Sequence, residues 1–94
     1  MFYFVQLTVT KNFKLIMENS TKMDAGFIKN IVVVAASKKS AINKAILKTK
    51  RDLERQKNIG VIYSELEFEV SQANPTCKLW KYYFPDGFVF FPIE

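Results

Sequence analysis

Histidine is absent from this 94-residue chain, cysteine occurs once, and glycine and proline three times each. Each scarcity removes a class of chemistry. Without histidine there is no imidazole general base, no imidazole metal ligand and no His-dependent triad. Gly26, Gly60 and Gly87 stand too far apart for a phosphate-cradling loop or a dinucleotide fingerprint. Cys77 has no second thiol to pair with, which excludes an intramolecular disulfide and a cysteine metal site. It is expected as a half-buried strand residue, because no imidazole is present to activate it. A lone cysteine also fits a reduced, cytoplasmic setting. No apolar run approaches the roughly 18 residues of a membrane span, so no membrane partner is expected. Met1-Phe2-Tyr3-Phe4-Val5-Gln6 lacks the basic start and small-residue cleavage site of a signal peptide and reads as a strand. The expectation is a protein that is not an enzyme and uses no cofactor and no metal.

What the chain does have is apolar bulk and segregated charge. Hydrophobic residues make up 49% of it and nine residues are Phe, enough to build a core rather than a disordered chain. At this length one domain, residues 1–94, is expected. The net charge of +5 is unevenly spread. Residues 1–37 carry four Lys against Glu18 and Asp24, a balance of +2. Residues 38–57 carry eight Lys and Arg against Asp52 and Glu54, a balance of +6. Residues 60–94 carry Lys78 and Lys81 against five acids, a balance of −3. The basic character therefore belongs to one segment.

Periodicity assigns the elements. Tyr3, Val5, Leu7 and Val9 alternate on one face of a strand over Phe2–Thr10. Phe13–Met17 extends that strand, returns as a hairpin arm or forms a helical turn; the pattern is compatible with all three. Asn19–Gly26 is polar and loop-like. Phe27–Ala36, apolar on both faces, predicts a central strand. Ser37 is placed to cap a helix from Lys38 to about Lys57, with Ala41, Ile42, Ala45, Ile46, Thr49 and Leu53 on its buried stripe and Gly60 available to end it. Val61–Val70 predicts one strand, with Leu66, Phe68 and Val70 on one side and Glu65, Glu67 and Glu69 on the other. Gln72–Thr76 is expected as a loop. Leu79–Phe84 and Phe88–Phe91 are expected as strands joined through Pro85-Asp86-Gly87. The sum is an α+β domain in β-β-α-β-β-β order: an antiparallel sheet of four to five strands with one long helix across a face.

Two surfaces are candidates for function. Lys44, Lys48, Arg51 and Arg55 form a cationic stripe on the helical wheel, with Leu47 beside it on the outward side. Such a stripe suits an acidic protein surface or a phosphate backbone. Glu65, Glu67 and Glu69 form the second, their shared strand face being open to a partner, to a divalent cation or to paired-carboxylate acid/base work. The C-terminal rings, Trp80, Tyr82, Tyr83, Phe84, Phe88, Phe90 and Phe91, are expected mainly in the core. Gly87-Phe88-Val89-Phe90 echoes the Gly-aromatic-x-aromatic run that stacks bases in the RNA-recognition fold, but Asp86 stands where that run has a cation and Val89 where it has a small residue.

The run Ile31-Val32-Val33-Val34-Ala35-Ala36-Ser37, leading into Ala41-Ile42-Asn43-Lys44-Ala45 and followed by the terminal Tyr-Phe-Pro-Asp-Gly-Phe hairpin, resembles small bacterial immunity proteins of contact-dependent growth-inhibition systems. The resemblance lies in size and order of elements across the chain. It implies a cytoplasmic protein without catalytic residues that neutralises a toxin domain by binding it. It carries over no interface residue. Immunity proteins that cover nuclease sites are often acidic, whereas this chain is basic, so the toxin would be acidic where it is gripped or the Glu65, Glu67, Glu69 face would make the contact. The alternative function is a small basic nucleic-acid-binding protein of phage or plasmid type, served by the same cationic stripe.

Overall fold

Inward residues alternate along Phe2–Val9 and recur every three or four positions along Lys38–Arg55, and these two patterns build the two layers of the protein. The structure, a computed structural model, describes residues 1–17, 21–55, 60–77 and 87–93. In chain order the elements are β1 (Phe2–Val9), β2 (Phe13–Ile16), β3 (Lys22–Val34), α1 (Lys38–Arg55), β4 (Val61–Tyr63), β5 (Glu69–Pro75) and β6 (Phe88–Pro92). The strands form one antiparallel sheet in the order β4-β2-β3-β1-β5, with β6 also paired to β3. The protein is α+β, with α1 packed across β1, β3 and β5.

The 13-residue β3 is the spine. β1 and then β2 run antiparallel to it in succession, Val9 opposite Phe27 and Lys14 opposite Asp24. β6 pairs Ala25–Lys29, so β3 has partners on both edges over Phe27–Lys29. Of the three readings open for Phe13–Met17, the chain takes the extension. The break across Thr10-Lys11-Asn12 is accommodated by Asn12 at φ 61, a left-handed conformation that Asn tolerates better than most residues.

The helix is capped as its sequence predicts. Ser37 Oγ accepts from Ser40 N at 3.2 Å, and Ser37 O accepts from Ala41 N at 2.9 Å. Ala41, Ala45, Thr49 and Leu53 are its buried residues. Ala41 and Ala45 meet Tyr3, Val5, Leu7, Ile31, Val33 and Ala73 toward one end of the sheet, and Leu53 meets Val9, Phe13, Phe27 and Val61 toward the other. Phe68 packs on both clusters and joins them into one core. Phe27 is its centre, with the rings of Phe88 and Phe13 edge-on at 5.1 and 5.2 Å. Fully burying a Phe or Leu side chain stabilises a fold by about 1.5–3 kcal/mol. Gly26 has no room for a side chain: a Cβ there would strike the Val9 carbonyl oxygen and come within 2.8 Å of the Phe91 ring.

Four expectations are corrected. Lys22–Gly26 is strand, because its polar residues take the outward positions while Ala25 reaches the core. Val61–Val70 is not one strand. β4 pairs β2, β5 pairs β1, and residues 64–68 lie in neither ladder. Leu66 and Phe68 still turn inward, but Val70 is 40% exposed. Gln72–Pro75, expected as loop, belongs to β5, which tolerates a proline at its last position. Cys77 lies beyond β5 and is exposed rather than half-buried. The expected strand Phe88–Phe91 is present as β6. Leu79–Phe84, the turn residues Pro85 and Asp86, and the helix end at Lys57 lie outside the described residues.

Candidate functional site

Because Ala41, Ala45, Thr49 and Leu53 point into the sheet, the geometry of α1 dictates what its flanks present. Lys44, Lys48, Arg51 and Arg55 fall together on one flank, three or four residues apart, as the helical period requires. Lys44, Arg51 and Arg55 are exposed and Lys48 is half-buried. Lys44 Nζ donates to Val34 O at 2.7 Å, tying the upper part of the flank to the end of β3. Together with Val33, Val34 and Lys48 it lines a small cleft of about 220 Å³. Lys44, Arg51 and Arg55 form no ion pair with any described carboxylate. Leu47 stands beside these cations at 63% exposure.

The glutamates do not share one face. Glu65 lies in the connection between β4 and β5, Glu67 follows it outside either ladder, and Glu69 opens β5 opposite Thr8. All three are exposed. They do not converge into a cluster that could hold a metal ion, and among the described residues no such cluster of acidic or cysteine side chains occurs. The structure does bring Glu65 to Arg51. Both line a cleft of about 410 Å³ between the last turns of α1 and the β4–β5 connection, together with Lys50, Glu54, Tyr63, Ser64 and Leu66. Within it the Tyr63 phenol is pushed up to about 12, first by burial and then by a hydrogen bond to Glu54 and that residue's negative charge.

Two residues that the sequence did not single out hold this arrangement. Lys29 is 3% exposed, with Nζ 3.9 Å from Asp52 Oδ2 and 4.7 Å from the centre of the Phe88 ring. A charge this deep persists only where it is paired. The pairing fixes how α1 is rotated over the sheet, and hence where the cationic flank points. Its signal was present: Phe27, Lys29, Ile31 and Val33 share the inward phase, and a lysine in that series needs a carboxylate facing it. Asn12 pins the other wall, accepting from Ser64 N at 3.2 Å and donating through Nδ2 to Glu65 O at 3.0 Å. Phe88 and Phe90, the rings of the base-stacking echo, are half-buried and stacked at 5.7 Å inside the core, so they present no platform to a base.

Among the described residues no helix is long and apolar enough to cross a membrane. Comparison with protein-family models, with curated proteins and with solved structures finds no match to this chain.

Proposed function

We propose that this protein is a stoichiometric protein-binding inhibitor, of the kind the immunity proteins exemplify, which docks an acidic surface of its target on the exposed flank of α1. The observation that carries this reading is Leu47, 63% exposed beside Lys44, Lys48 and Arg51. An apolar side chain beside cations has the anatomy of a protein interface, whose centre is depleted of charge and whose rim is polar. It gains nothing against a phosphate backbone. Charge segregated in this way speeds encounter and selects the partner more than it adds affinity.

Capture from lysate of the source cell, followed by association kinetics with the captured protein, tests the reading. The double variant Lys48→Glu with Arg55→Glu should slow association by roughly tenfold or more and flatten its salt dependence. The control Glu67→Lys with Glu69→Lys should leave the on-rate within about twofold. Leu47→Ala should act on the off-rate. An on-rate indifferent to the flank reversal would overturn the reading. Binding to DNA or RNA oligonucleotides that weakens with salt, with a slope near −0.9 per neutralised phosphate on duplex DNA, would replace it with the nucleic-acid alternative.

A further inference from the structure

The interruption of the Val61–Val70 pattern is the largest disagreement between local sequence and fold. Residues 64–68 alternate as a strand should, yet they leave both ladders, and residues 64–66 line a cleft with the last turns of α1. Disagreements of this kind concentrate at functional sites. The departing segment is held in place, because Asn12, itself in left-handed backbone, grips Ser64 and Glu65 by one hydrogen bond each. The cleft it walls off, about 410 Å³, lies toward the small end of the roughly 300–1,000 Å³ range of ligand sites.

The lining is amphoteric. Arg51 and Glu65 both border the cleft, and among the described residues neither side chain has an ion-pair or hydrogen-bond partner. Opposite charges that share one cleft without meeting leave room for a molecule that satisfies both. Lys50, next to Arg51 on α1, adds a second cation to the lining, its Nζ 6.0 Å from the centre of the Phe68 ring. Leu66 and the Tyr63 ring supply an apolar surface. An arginine can take a carboxylate with two parallel hydrogen bonds, and a carboxylate can accept from an ammonium.

We propose that this cleft binds a small zwitterion, a free α-amino acid or a dipeptide, with its carboxylate on Arg51, its ammonium on Glu65 and an apolar side chain against Leu66 and Tyr63. This site does not depend on the docking role of the flank, and its test needs no protein partner.

The full chain, labelled with ¹⁵N, is titrated with L-leucine, L-alanyl-L-leucine, N-acetyl-L-leucine and L-leucinamide. At least one of the two zwitterions should give saturable shifts at residues 50–54 and 63–66 in the millimolar range, and comparing the two separates amino acid from dipeptide. Each capped compound should bind about tenfold more weakly or worse, having lost one charge-assisted contact. Arg51→Gln should weaken the zwitterion and N-acetyl-L-leucine while sparing L-leucinamide. Glu65→Gln should do the converse. Both residues are exposed, so spectra of the variants should otherwise overlay the wild type. Absence of saturable shifts at about 20 mM ligand, equal binding of the capped compounds, or shifts confined to other residues would each overturn the proposal.

Discussion

Leu53 and Leu47 belong to one helix and meet opposite surroundings. Leu53 is fully buried among Val9, Phe13, Phe27 and Val61, whereas Leu47 is 63% exposed. Chemical denaturation should therefore show Leu53→Ala costing about 2–4 kcal/mol, as buried leucine truncations do. Leu47→Ala should stay within roughly 0.5 kcal/mol. Equal losses would mean the helix is rotated from the phase described. Tyr63 allows a test by pH. Its folded value, pushed up to about 12, lies above the ordinary 10.0. Between those values the unfolded chain releases the phenolic proton and the folded protein keeps it. The contribution of Tyr63 to stability is thus complete below about pH 10 and lost as pH rises through about 12. Absorbance titration should show a late-ionising phenol in the wild type that Tyr63→Phe removes. Denaturation midpoints above pH 10 should fall more steeply in the wild type than in the variant.

At the scale of the element, α1 shows a local conflict between capping and charge. Ser37 caps it, but its first turn holds Lys38 and Lys39 and no acidic residue. Cations there oppose the helix dipole, whose N-terminal end favours carboxylates. Ser37→Ala should cost about 1 kcal/mol. Lys39→Glu should stabilise by roughly 0.3–1 kcal/mol at low salt and by less at high salt. Both are read from thermal or denaturant midpoints.

The elements with an uninterrupted period, β1 and α1, were legible because one face of each is buried along its whole length. β3 was legible only in its apolar half, since Lys22 and Asp24 face solvent and Gly26 breaks the alternation without breaking the strand. Residues 64–68 misled in the other direction. Alternating exposure records which side faces a core, and a segment outside any ladder shows it equally well. β5 looked like a loop because an edge strand with most of its residues exposed can be built from Gln, Asn and Pro. The cationic flank was legible from helical spacing. The cleft was not, because it depends on Asn12 reaching Glu65 across 53 positions of sequence.

For the whole molecule, the segregation of charge seen in the sequence acquires a direction. The cationic flank lies on one side of α1, while Glu65 closes the cleft beside its last turns. Lys29, buried between helix and sheet and paired with the half-buried Asp52, keeps that orientation from drifting. The position of β6 has a consequence of another kind. β1, β2 and β3 are neighbours in sequence and can pair as soon as they leave the ribosome. Phe88 and Phe90, which complete the ring cluster around Phe27 and Phe13, are synthesised only after α1, β4 and β5. Until they arrive the edge of β3 at Ala25–Lys29 lacks β6, and Phe27 lacks two of its aromatic neighbours. An unpaired strand edge beside uncovered rings is the surface on which nascent chains stick to one another. The cost of building the core from segments so far apart in sequence is thus a vulnerable interval during synthesis, which lasts until β6 is made.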